Sequence, residues 1–197
     1  TIGPFSLPAG LVVPLRVGLV ASDGADLALR IGGKPMQGDV IALTKPSDIL
    51  IFENVPERPV LSINREFSAP VKLTASLSAE DLRRLAAHDS DPFNRWQALQ
   101  TLGTRLLVKN VALIRAHNAP ATVEGLIEAL AAILADQRLE PAFVALALAM
   151  PSEGDIAREI GQDVDPDANF RARAHLRSAI GRALDQPLEE AYRKMQT

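Results

Sequence analysis

The sequence contains no cysteine. That excludes a disulfide scaffold and any thiolate metal site, and it fits a reducing compartment. Aromatic residues are scarce, at 4% with one Trp and one Tyr, too few for the stacking platforms that hold single-stranded nucleic acid. Neither sign of charge dominates. Residues 1–77 carry seven basic and seven acidic side chains, and residues 78–197 carry fourteen and seventeen. The basic excess needed to bind a phosphate backbone is missing, so no nucleic-acid partner is expected. No apolar run reaches the roughly 18–20 residues of a membrane span, and none is expected to meet a membrane. The opening TIGPFSLPAGLVVPLRV lacks a positive n-region and does not read as a signal peptide. With threonine at position 1, the chain is expected to be a piece of a longer polypeptide.

What is present is an ordinary globular balance, 197 residues with 47% hydrophobic and 23% charged side chains. A chain of this length can bury roughly 70% of the surface its unfolded form exposes and needs no staple. Residues 12 to 75 read as strands. Leu15, Val17 and Leu19 alternate with Pro14, Arg16 and Gly18, and Asp23-Gly24 is a hairpin signal. Leu27, Leu29 and Ile31 alternate in turn, followed by the turn Gly32-Gly33-Lys34-Pro35. Further apolar runs lie at 40–43, 49–52 and 60–63, with a last strand expected at Val71–Ala75. Six or seven short strands predict a small antiparallel β-sandwich of Ig-like type. Pro14, Pro59 and Pro70 lack an N–H and are expected at strand ends or edges.

From Ser78 the period becomes helical. Ser78 with Asp81, and Ser152 with Asp155, have capping-box spacing. Asp91-Pro92 and Asp165-Pro166 each set an N-cap acceptor before a proline at the first helical position. About six helices on short loops predict stacked helical hairpins in a superhelical arrangement, without a sequence repeat of fixed period. The expected fold class is thus α+β in two parts, with a β domain over 1–77 and an all-α domain over 78–197.

No catalytic constellation is visible. The three histidines, His88, His117 and His175, lie in no H-E-x-x-H and form no helical ligand pair. His88, Asp89 and Asp91 read as helix capping rather than a metal site. Arg173 and Arg177 share a helix face that reads as solvated. Gly32-Gly33-Lys34 lacks phosphate-loop spacing, and no serine sits in a G-x-S-x-G elbow. Trp96 reads as a core residue, which turns Arg95 toward another face.

Three stretches, REFSAPVKL (65–73), DPFNRWQALQ (91–100) and MPSEGDI (150–156), occur in this order and resemble the bacterial branch of the aminopeptidase N family. These are thermolysin-like zinc metallopeptidases. The resemblance implies a hydrolase fragment, a β-sandwich followed by the opening helices of a large C-terminal helical domain. The catalytic domain of the same polypeptide would be its partner, and peptides the substrates of the parent. One zinc is implied for the full-length parent and none for this chain. No catalytic, cofactor or metal residue has a matching position here. The helical domain would act as a lid over the catalytic cleft, serving peptide catabolism in the cytoplasm. Arg65, Glu66, Phe67, Pro70, Arg95 and Trp96 are the expected structural or interdomain residues. Of these, Arg65 and Glu66 would form charge-assisted bonds across a domain boundary, Phe67 would anchor in the core, and Pro70 would set a strand's entry. The alternative is a free-standing protein-interaction module built from a sandwich and a helical solenoid. An independent small hydrolase is the least favoured reading.

Overall fold

The computed structural model describes residues 12–45 and 48–195. The opening segment read above for a leader falls, over residues 1–11, outside the described residues. The chain divides into two compact units, residues 1–95 and 96–197.

The first unit contains β1 (Val13–Val20), β2 (Arg30–Ile31), β3 (Lys34–Pro35), β4 (Val40–Leu43), β5 (Val60–Ile63), a 3-10 turn at Arg65–Phe67, and α1 (Ala79–His88). β1 is the centre of an antiparallel sheet in the order β4-β1-β5. Its two neighbours take different halves. β4 pairs with residues 13–16, from Val13 opposite Leu43 to Arg16 opposite Val40. β5 pairs with residues 17–20, from Val17 opposite Ile63 to Val20 opposite Val60. Pro14 is tolerated inside β1 because, among the described residues, only β4 flanks that half.

Alternation sorts the side chains. Val13, Leu15 and Val17 form the core with Leu43 and Ala69, and Leu29, Phe52, Val71 and Leu73 pack against it. The Asp23-Gly24 reversal forms as expected, with Ala21 N–H donating to the Ala25 carbonyl at 2.8 Å. Gly32 and Gly33, at φ 61° and 77°, make the two-residue turn between β2 and β3. Both positive values suit glycine and the twist of a hairpin.

Among the described residues fewer strands form than the pattern predicts. Val71–Ala75 alternates half-buried and exposed residues but pairs with no described strand, and 49–52 likewise pairs with none. Ile49 and Ile51 stay exposed while Phe52 reaches the core. Alternation reports an extended chain with one face buried, and the ladder needs a partner as well.

α2 (Pro92–Arg115) begins in the first unit and continues into the second. The second unit adds α3 (Glu124–Ala135), α4 (Pro141–Ala147), α5 (Glu153–Ile160), α6 (Pro166–Ala183) and α7 (Asp185–Met195). Its core collects Leu99, Leu107, Ile133, Ile156 and Leu176. α3 packs on α4 and α7, and α6 on α5 and α7. The helix starts follow local chemistry. The Ser78 and Ser152 hydroxyls accept from Asp81 and Asp155 N–H, and both carboxylates bond back to the cap residue, completing two capping boxes. Asp165 caps Ala168 N–H at 2.9 Å. Arg173, expected on a solvated face, instead donates to the Pro151 carbonyl at 2.9 Å. No helix among the described residues is long and apolar enough to cross a membrane.

Candidate functional site

The most concentrated polar chemistry of the first unit surrounds Arg65. Its side chain is 9% exposed, so each of its donors needs a partner. Nε donates to Ser62 Oγ at 2.9 Å. Nη1 and Nη2 fork onto Asp26, at 3.0 and 2.6 Å. Nη2 also meets Asp89 Oδ1 at 2.9 Å, a carboxylate with no exposed surface. One guanidinium therefore joins the turn after β1, the end of β5 and the residue that closes α1, and a planar fork suits that role better than an ammonium would.

The surrounding groups complete the network. Ser90 Oγ donates to Asp26 Oδ2 at 2.6 Å. Asn94 Nδ2 donates to Ser62 Oγ at 2.6 Å and to the Ile63 carbonyl at 3.0 Å. Asp91 N–H donates to Asp89 Oδ1 at 3.0 Å. Asp91 in turn accepts from Asn94 N–H and Glu66 N–H, both at 3.1 Å. The Asp91-Pro92 helix start is thus also a clamp on the 3-10 turn. Burial alone would raise the Asp26 carboxyl pKa, but the Arg65 and Ser90 hydrogen bonds and the Arg65 charge bring it below the ordinary range. Asp89 goes the other way. Burial pushes it up, and bonds from Ser62 and Asp91 N–H with the Arg65 charge offset only part of the rise, to which the Asp91 charge adds.

The 3-10 turn is conformationally costly. Asn64, Glu66 and Phe67 have φ of 63°, 55° and 51°, and a non-glycine residue there costs roughly 1–2 kcal/mol. Asn64 offsets this locally. Its Oδ1 accepts from Ala69 N–H at 2.8 Å and from Ser68 Oγ at 3.0 Å, and its Nδ2 donates to the Ala69 carbonyl at 3.0 Å.

The six expected residues meet different fates. Arg65 is the centre of the network. Glu66 is exposed and ion-pairs with Arg16. Phe67 does not anchor in the core. It is 52% exposed and meets the edge of Phe93, with ring centroids 5.4 Å apart. The left-handed backbone beneath it accounts for the difference, since the turn that seats Arg65 carries the next two side chains outward. Pro70 is followed by no strand among the described residues and sits in a tight turn closed by Val71 N–H on the Ala69 carbonyl at 2.9 Å. Arg95 is buried and donates to the Ala86 and Ala87 carbonyls at 3.0 and 2.9 Å, satisfying the end of α1. Trp96 is half-buried. Sequence reasoning missed Gly18, Asp26, Ser62 and Asn94. Gly18 gave a usable signal, because a glycine inside a strand often marks a close approach.

Among the described residues no three His, Asp or Glu side chains converge to hold a metal. The acidic cluster nearest to such an arrangement is engaged by Arg65 and by backbone N–H groups. These residues do not fit a zinc ion.

A family described as a domain of unknown function with ARM repeats, DUF3458_C, matches residues 79–197. Its companion of Ig-like fold, DUF3458, matches residues 7–76. The chain is 38% identical to aminopeptidase N of Caulobacter vibrioides over 182 residues, covering 91% of this chain and 20% of that protein. It is 32% identical to aminopeptidase N of Escherichia coli, covering 92% and 21%. The structure of Legionella pneumophila aminopeptidase A in complex with aspartic acid superposes with a TM-score of 0.72 at 23% identity, over 94% of this chain and 20% of that one. That likeness bears on the fold alone. An Ig-like domain followed by ARM-like helices is therefore the architecture, and the chain spans about a fifth of the length of the relatives it matches.

Proposed function

Because this chain belongs to the aminopeptidase N family as its Ig-like and ARM-repeat segment, we propose that it is the non-catalytic scaffold of a zinc-dependent aminopeptidase. The longer polypeptide removes N-terminal residues from peptides in the cytoplasm. Its catalytic domain, with one zinc, lies outside these residues. The Ig-like domain, over residues 1–77, positions a helical lid, beginning at residue 78, over the catalytic cleft. A lid of this kind restricts access and excludes water.

The observation that carries this reading is Arg65. It joins the strand-derived part to the end of the first helix through Asp26 and Asp89. A scaffold must hold its helices in place, and a buried, multiply bonded guanidinium at that junction suits the task. Arg65, Glu66, Phe67, Pro70, Arg95 and Trp96 act in this reading as structural or interdomain residues.

Two measurements test the reading. The 197-residue chain by itself is expected to hold no zinc by elemental analysis and to leave aminoacyl-anilides intact, whereas the longer polypeptide hydrolyses them. Arg65→Ala in the longer polypeptide is expected to lower both Tm and turnover. Zinc retention or hydrolysis by the 197-residue chain overturns the proposal, and so does full turnover with unchanged Tm in the Arg65→Ala variant.

A further inference from the structure

The outer face of the three-stranded sheet changes character halfway along β1. Toward the C-terminal half it is closed. Gly18 lies beneath the Arg65 guanidinium, its neighbour Ser62 is bonded to Arg65 and Asn94, and Val20 and Val60 are buried. α1 packs on both β1 and β5. Toward the N-terminal half the same face is open among the described residues. It presents Val12, Pro14, Val40 and Ala42, with Val12 53% and Val40 44% exposed. The register sets Pro14 opposite Ala42 and Arg16 opposite Val40, so these residues are contiguous.

The composition of the open half is unusual for a solvated surface. An antiparallel sheet that faces water on one side carries polar residues there. Here the one charged side chain of the two paired strands on that face is Arg16, and it is ion-paired with Asp39 and Glu66. Val, Pro and Ala make up the rest. Apolar area at one end continues directly into a buried interface at the other, which is how a sheet face looks when a second element completes its cover.

We infer that this half-face is an interdomain surface, covered by an aliphatic surface of another domain of the same longer polypeptide. The inference rests on the reading above, that the chain is a scaffold segment. The length of the relatives supports that occupant over a second copy. About four-fifths of each relative lies outside the matched region, so a covalently tethered partner is available at high effective concentration. The Arg16 cluster sits at the rim, where paired charges set register and suppress wrong partners.

The 197-residue sequence holds no cysteine, so each introduced thiol is unique within it. Val40→Cys and Ala42→Cys each introduce a thiol on the face, and Lys34→Cys, on the exposed β2–β3 hairpin, serves as reference. All are exposed positions, so folding of the variants is expected to persist and is checked by circular dichroism. Maleimide labelling is followed by peptide-mapped mass spectrometry, in the 197-residue chain and in the longer polypeptide. The expected result is rapid labelling of Val40→Cys and Ala42→Cys in the 197-residue chain and at least tenfold slower labelling, relative to Lys34→Cys, in the longer polypeptide. Equal relative rates in both overturn the inference. If the longer polypeptide still hydrolyses aminoacyl-anilides in that case, the scaffold reading survives while this surface assignment fails. Protection that grows with concentration in the 197-residue chain alone identifies a second copy as the occupant and also overturns it.

Discussion

The guanidinium of Arg65 occupies the space where a β-carbon on Gly18 would stand. Glycine is required at that position for proximity and not for a special backbone angle. Gly18→Ala should expel Arg65 and break a buried ion pair, a loss of about 3–5 kcal/mol. In an Arg65→Ala background the same substitution should cost almost nothing, because the colliding atoms are gone. A double-mutant cycle by urea unfolding reads the difference. Additive losses would show that the two residues are independent and would remove the close approach as the explanation.

Arg65→Lys should recover little of the stability lost in Arg65→Ala. An ammonium cannot reach Ser62, both oxygens of Asp26 and Asp89 at once, as Nε, Nη1 and Nη2 do here. A Lys variant within about 1 kcal/mol of the parent, a range typical of exposed ion pairs, would mean that charge alone matters at this site.

Acid sensitivity should trace to Asp26. Its folded pKa is depressed, so it contributes stability above the ordinary carboxylate pKa of 3.8 and loses that contribution as pH falls through the lower folded value. Asp81, held by the Ser78 cap and Arg58, acts in the same direction. Asp89 has the opposite sign. Its folded pKa is raised, so its contribution is present below the ordinary value and is lost as pH rises through the folded one. Asp26→Asn should flatten the decline in unfolding free energy on acidification below about pH 5, and Asp89→Asn should steepen it. Unchanged slopes in urea titrations across this range would dissociate the network from the pH response.

The contrast between helices and sheet shows which interactions a sequence carries on its surface. Ser78 with Asp81, Ser152 with Asp155 and Asp165 with Ala168 are bonds over three residues, so spacing alone reveals them. Val71 and Leu73 were equally legible as inward-facing residues, yet their segment pairs with no strand among the described residues. The partners of Arg65 are remote in sequence, with Asp26 lying 39 residues away. Nothing local marks Asp26 as its counter-ion. The REFSAPVKL resemblance pointed to Arg65 and to charge-assisted bonds without naming their partners, and it could not foresee that the backbone seating Arg65 would turn Phe67 toward solvent. Arg95, beside a tryptophan in a helical stripe, gave no hint that it closes the preceding helix.

A last prediction isolates the left-handed turn. Asn64 does two things there: it tolerates φ 63°, and its side chain makes three bonds, to Ala69 N–H, the Ala69 carbonyl and Ser68 Oγ. Asn64→Gly keeps the first and loses the second, while Asn64→Ala loses both. Each net hydrogen bond contributes about 0.5–1.5 kcal/mol, and an Ala in this region adds roughly 1–2 kcal/mol of strain. Stability should therefore fall in the order Asn, Gly, Ala, with the Gly–Ala gap near the strain figure. Glu66→Gly relieves strain of the same kind and gives up only an exposed pair with Arg16, so it should stabilise the chain by up to about 1 kcal/mol. Thermal and urea unfolding of the three variants decides the matter. An Ala variant as stable as the Gly one, together with a Glu66→Gly variant that loses stability, would mean that the turn stores no backbone strain and that side-chain contacts alone shape it.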